Sequence, residues 1–127
     1  KKRIQRIEDA DLFTGLDLIL DGLDSISSRY LLMEIAIKKG LPLIHGAIGA
    51  FEAQLAFLEP DINRMKVIYP WEEEVSKANL SFVPSFLASL QVKMLLEYFL
   101  SRPELEKNTL IRIDLRDLQI YKIPLDT

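Results

Sequence analysis

The sequence predicts an α/β fold with a mixed sheet, and three observations carry the prediction. A short apolar run, a capped helix and a second apolar run follow one another within roughly 35 residues, the scale of a βαβ unit. A long, strongly apolar helix comes later, from about Ser85 to Leu100. The tail then alternates, with Ile111, Ile113 and Leu115 on one face and Arg112, Asp114 and Arg116 on the other. At 127 residues the chain is the size of one domain.

In chain order, the first thirteen residues mix charge and apolar character without a firm period and read as a short edge strand with a turn. Leu18-Ile19-Leu20, closed by Asp21-Gly22, reads as a strand buried on both faces, as in parallel sheets. Asp24, Ser25, Ser27 and Ser28 offer N-cap chemistry for a helix whose apolar body is Tyr30 to Ile37. Lys38 and Lys39 suit its last turn, Gly40 its C-terminal cap, and Pro42 prevents its continuation. Leu43-Ile44 starts a second buried strand, parallel to the first, and Gln54 to Leu58 a third, ended by Pro60. From Asp61 to Val83 the pattern dissolves, and Pro70, Trp71 and Glu72-Glu73-Glu74 read as an irregular loop. Phe86, Leu90, Met94 and Tyr98 define the stripe of the long helix, which Pro103 ends. Leu118 to Ile123 closes an antiparallel hairpin around Arg116-Asp117.

Composition removes several classes of function. Apolar residues make up 49% and charged residues 28%, enough for a core and unlike a disordered chain. A net charge of −3 lacks the basic footprint of a nucleic-acid binder. No apolar run approaches the roughly 18 residues of a membrane span, and no basic-then-apolar signal segment opens the chain. The expectation is a cytoplasmic protein with no membrane and no nucleic-acid partner. With no cysteine there is no disulfide framework, thiolate zinc site or cysteine nucleophile. The opening Lys1-Lys2-Arg3, without Met, reads as a processed product or an internal fragment.

Catalytic patterns are sparse. The glycines form neither GxGxxG nor Walker spacing, and the single His45 cannot supply a two-histidine metal site. No GxSxG nucleophile elbow is present. Asp24 is the best single candidate, because it follows the carboxyl end of a parallel strand, where open α/β sheets place ligands. It has two readings: a carboxylate for Mg²⁺, which takes one or two carboxylates plus substrate phosphates, and a helix cap, which the pattern alone favours. Asp21 lies three residues earlier, either pairing with Asp24 or turned elsewhere. Arg29 either grips a phosphate or carboxylate or is a solvated charge. His45 reads as a core histidine with a satisfied ring, and the three glutamates as a solvated loop face beside Trp71.

Several segments together resemble a known family. They are Asp17-Leu-Ile-Leu-Asp-Gly-Leu-Asp-Ser25, Arg29-Tyr-Leu-Leu32, Gly40-Leu-Pro-Leu-Ile-His-Gly-Ala-Ile48 and Phe51-Glu-Ala-Gln54. Their order and spacing resemble the ThiF/MoeB/HesA family, relatives of the ubiquitin-activating enzymes. Val67-Ile-Tyr-Pro70 and Ser89-Leu-Gln91 match that family's LFP and GSLQA segments, so the similarity runs from about residue 11 to 100.

The resemblance implies a partial Rossmann-like ThiF fold, the C-terminal half of an ATP-dependent adenylyltransferase. Such an enzyme activates the C-terminal glycine carboxylate of a small ubiquitin-like or sulfur-carrier protein, as in thiamine or molybdopterin biosynthesis. It further implies that Asp24 organises Mg²⁺ and ATP, with Ser25 beside the nucleotide, Arg29 in support, and His45 to Gln54 in the wall of the groove for the partner's tail. The family's glycine-rich nucleotide loop and acidic ribose contact have no counterpart here, so the chain alone is expected not to adenylate, and a homodimer or an N-terminal half is the expected partner. The first cysteine pair of the family's zinc site falls at Arg64 and Val67, so no zinc is expected. Ser25 replaces the usual Asn, Glu34 falls where an Asp/Asn pair is common, and Ala53 replaces a Gly. The alternative is a catalytically inactive ThiF-like interaction or dimerisation module, and a plain α/β domain is the third reading.

Overall fold

Alternation along the strands and capping at the helix ends account for most of the architecture. The computed structural model describes residues 4–70 and 82–126. Strand β1 (Ile19–Leu20), helix α1 (Ile26–Lys39) and strand β2 (Leu43–Ile48) form the expected βαβ unit, with β1 parallel to β2 and Ile19 opposite Leu43. Of the residues offering N-cap chemistry, Ser25 takes the role: its hydroxyl accepts the Ser28 N–H at 3.1 Å. The cap reading of Asp24 is therefore replaced, because the extended residue before the first turn is Ser25. Gly40 ends α1 at φ +65°, a left-handed conformation that a side chain would strain, and donates to the Ala36 and Ile37 carbonyls.

Strand β3 (Glu52–Leu58) begins two residues before Gln54 and runs antiparallel to β2, with His45 opposite Ala56. Strands β4 (Thr109–Asp114) and β5 (Gln119–Pro124) form the terminal hairpin, and the sheet order is β1-β2-β3-β4-β5.

Two expectations are corrected. The N-terminal segment is a 3-10 helix, Ile7–Phe13, and not an edge strand. Buried Asp9 accepts the Gln5 and Arg6 N–H groups, so the side chain satisfies donors that a strand partner would otherwise take. Within the region read as irregular, helix α2 spans Ile62–Ile68. Asp61 caps it by accepting the Asn63 N–H at 2.9 Å, and the fully buried Met65 anchors it. Trp71 and the three glutamates lie outside the described residues. The long helix α3 spans Phe82–Phe99, starting three residues before Ser85.

The period of two assigns the sheet's faces. On one, Ile19, Leu43, Ala56 and Leu58 pack with Leu32, Met33 and Ile35 of α1 and Met65 of α2. On the other, Ile44, Leu55, Phe57 and Ile113 pack under Val83, Leu87 and Met94 of α3. Both faces of β2 are thus covered, which explains its near-continuous apolar reading. Among the described residues no helix is long and apolar enough to cross a membrane.

Candidate functional site

The same parity that builds the core carries polar side chains into it. Asp21 is two residues beyond Ile19, His45 two beyond Leu43, and Gln54 two before Ala56, so all three belong to the α1-covered face. Asp21 and His45 are buried outright, and Gln54 is half-buried. Arg29 from α1 and Tyr69 at the end of α2 meet them.

The result is a connected network. Asp21 Oδ1 accepts the Leu23 N–H at 2.9 Å, and its Oδ2 lies 3.1 Å from His45 Nδ1 and 3.4 Å from Arg29 Nε. Placing the imidazole proton on Nδ1 lets it donate to the carboxylate and leaves Nε2 to accept from the Gln54 carboxamide at 3.2 Å. The Tyr69 hydroxyl accepts from Arg29 Nη1 at 2.9 Å and from Gln54 Nε2 at 3.1 Å. Burial pushes the Tyr69 phenol above its ordinary pKa; nearby Arg29 opposes that shift and Asp21 adds to it. Arg29 Nη2 donates to the Leu23 carbonyl at 2.5 Å and to the Gly46 carbonyl at 3.3 Å.

This network underlies a cleft of about 290 Å³ at the carboxyl ends of β1 and β2. Asp24 and its neighbours Gly22 and Leu23 form one side, Gly46, Ala47 and Ile48 another, and Pro84, Leu87 and Gln91 of α3 a third. Gln91 closes the join by donating to the Asp21 carbonyl at 3.1 Å. Gly46 is required there by close approach: a Cβ at this position would overlap the Gln91 carboxamide, with Cδ at 2.7 Å.

The candidate residues separate clearly. Asp24 is exposed on the cleft, and among the described residues no hydrogen bond or ion pair engages its carboxylate. Asp21 is turned inward and saturated, so the paired-carboxylate arrangement does not form. Arg29 also borders the cleft but is 3% exposed and committed to the chain, which replaces the solvated-charge reading. Ser25 is occupied as the cap of α1. His45 is the satisfied core histidine expected, while Gly46 to Ile48 supply the cleft wall. Arg64, at one of the expected cysteine positions, is in α2, with Nε 2.9 Å from Asp126 Oδ1, and Val67 follows in the same helix.

Asp24 alone fits what a phosphate-bound Mg²⁺ asks of a protein, one or two carboxylates with the rest of the shell from phosphate and water. An all-protein cage does not fit, since among the described residues no three His, Asp or Glu side chains gather. The residues missed by sequence reading as parts of one network are Tyr69, Gln54 and Gln91. Their signal was a polar residue on an otherwise apolar stripe: Gln54 on the face of Ala56 and Leu58, and Gln91 between Leu87 and Met94.

Known proteins share both the sequence and this architecture. The chain is 26% identical to the SAMP-activating enzyme E1 of Haloferax volcanii, covering 98% of this chain and 49% of the relative. It is 43% identical over 51 residues to the probable adenylyltransferase/sulfurtransferase MoeZ of Mycobacterium tuberculosis, covering 40% of this chain and 13% of the relative. The chain spans about half the length of the first of these and less of the second. Among solved structures, E. coli MccB with succinimide superimposes with TM-score 0.76 at 14% identity, covering 98% of this chain and 41% of that one. PaaA superimposes with TM-score 0.72 at 11% identity, covering 96% and 46%. These likenesses identify the fold. The ThiF family profile matches residues 1–127, and the chain belongs to the ThiF family.

Proposed function

We propose that this chain supplies part of the active site of an ATP-dependent adenylyltransferase that activates the C-terminal glycine carboxylate of a small ubiquitin-like or sulfur-carrier protein. The observation that carries the reading is the uncommitted Asp24 carboxylate on a cleft at the strand ends, in a chain of the ThiF family. The names of the two relatives, a SAMP-activating enzyme and an adenylyltransferase/sulfurtransferase, support it.

In this reading Asp24 would hold Mg²⁺ beside the nucleotide's phosphates, where it would supply positive charge against that developing as the carrier's C-terminal carboxylate bonds to the α-phosphorus and pyrophosphate leaves. The chain's own contributions are shape and fixed charge. Gly46 leaves room for the Gln91 carboxamide, Ala47 and Ile48 offer an apolar wall to a narrow glycine-ended tail, and Arg29 holds the turn before Asp24. The nucleotide loop comes from a companion segment or subunit. Pairing with a second copy is a separate part of the reading, and the exposed Val92, Leu96 and Phe99 on α3 favour it.

The test is ATP–pyrophosphate exchange by the intact protein that carries this chain, with a glycine-ended carrier added. Asp24→Ala lowers exchange by at least about 100-fold, the scale of losing one group that balances developing charge. Exchange near the original rate in Asp24→Ala overturns the assignment of Asp24. If the unsubstituted protein neither exchanges nor binds Mg-ATP in calorimetry, the inactive interaction module replaces the enzyme; the internal commitment of Arg29 is the observation on its side.

A further inference from the structure

Resting on that reading of the cleft, we propose that Tyr69 is a positioning residue. Its hydroxyl anchors Arg29, and Arg29 in turn holds the β1–α1 turn that carries Asp24.

Tyr69 does not border the cleft, so any influence on it passes through another side chain. Arg29 is that side chain. Its guanidinium is nearly inaccessible, and its Nη2 grips the Leu23 carbonyl, one peptide before Asp24, and the Gly46 carbonyl on the opposite wall. Among the described residues Nε makes no hydrogen bond, lying 3.4 Å from Asp21 Oδ2, so the group is already short of one partner there. The Tyr69 hydroxyl, at 2.9 Å from Nη1, fixes its rotation. Without it, the buried cation must turn to recover a partner, and the two carbonyls it spans lose their common donor.

Tyr69 is itself held from three sides. Tyr30 donates to the Tyr69 carbonyl at 2.7 Å, Gln54 donates to its hydroxyl, and its ring meets His45 edge-on at 5.7 Å.

The experiment compares Tyr69→Phe with the unsubstituted intact protein in two readouts. The first is hydrogen exchange of the amides from Leu23 to Ser25. The second is the Mg²⁺ concentration giving half-maximal ATP–pyrophosphate exchange. Tyr69→Phe is expected to speed amide exchange in that turn about tenfold and to raise the half-maximal Mg²⁺ concentration by a similar factor, as loss of one hydrogen bond to a charged group implies. The rate at saturating Mg²⁺ changes less than about twofold, because the metal then selects the ordered turn. Tyr30→Phe, which loosens the Tyr69 backbone but leaves the Tyr69 hydroxyl in place for Arg29, is expected to shift both readouts less than half as far as Tyr69→Phe, about a half being the share of one anchor among several. Unchanged amide exchange in Tyr69→Phe, or an equal change in Tyr30→Phe, overturns the proposal. Absence of ATP–pyrophosphate exchange in the unsubstituted protein overturns the functional reading instead, and amide exchange then decides the positioning role alone.

Discussion

Replacing Arg29 by Met tests the buried network most directly, because it removes charge while keeping the bulk of the side chain. The Asp21 carboxylate is fully buried, and Arg29 is the permanently charged partner that faces it. Breaking a buried pair by removing one partner costs about 3–5 kcal/mol, mostly the penalty of an uncompensated charge. Two features of the site place this case at about 3 kcal/mol, the lower end of that range: the Leu23 N–H and His45 Nδ1 still face the carboxylate. With a urea m value of about 1.5 kcal/mol/M, the unfolding midpoint falls by about 2 M at constant m. The double variant Asp21→Asn with Arg29→Met is expected to recover at least about half of that loss, since no unpaired charge remains. A midpoint shift under about 0.5 M for Arg29→Met, or a double variant as unstable as the sum of its parts, refutes the charge-compensation argument.

Two further outcomes follow from the same geometry. Gly46→Ala pushes a methyl into the Gln91 carboxamide and costs about 1–3 kcal/mol in urea unfolding, and Gln91→Ala in the same chain removes part of that cost; additive losses would contradict the overlap. At the surface, the hydrogen bond from Arg64 holds the Asp126 carboxyl below its usual pKa. A depressed folded pKa contributes stability that is complete above the ordinary carboxylate value of about 4 and lost as pH falls through the folded value. The melting-temperature gap between the unsubstituted chain and Asp126→Asn is therefore present at neutral pH, closes below about pH 4 and shrinks in 1 M salt, roughly the concentration at which such pairs are screened. A gap independent of pH refutes it.

What was legible in the sequence follows from the range of the interactions. The βαβ unit, the long helix and the hairpin are written locally, in apolar periodicity, in Gly40 and in the alternation of Ile111 and Ile113. Ser25 and Asp24 both satisfy the statistics of a cap, and only the backbone decides that Ser25 is extended and Asp24 lies outside the helix. Helix α2 escaped notice because seven residues show too few turns for a period, although Pro60-Asp61 was a start signal. The N-terminal 3-10 helix depends on Asp9 reaching its own backbone, which competes with any strand reading. The site divides likewise. Asp24 at a strand end is a local inference, whereas the contact of Arg29 with Tyr69 joins residues 40 positions apart and has no local signature.

The contrasting fates of Asp21 and Asp24 follow from strand parity. Asp21 continues the inward phase of Ile19, so it enters the face covered by α1 and needs Arg29, His45 and the Leu23 N–H to be tolerated there. Asp24 lies beyond the strand, where the phase no longer applies, and remains outside. The inner carboxylate is the more strongly partnered, but those partners remove it from chemistry: its lone pairs face donors of the chain, and its residue's backbone carbonyl accepts from Gln91. The outer carboxylate is the reverse, weakly held and accessible. A densely hydrogen-bonded network beneath one accessible charge suits a site whose reacting groups are brought by ligands, because the turn carrying that charge is held by the chain's own contacts. Loss of Asp24 should therefore remove activity while leaving stability nearly intact, and loss of Arg29 should lower both.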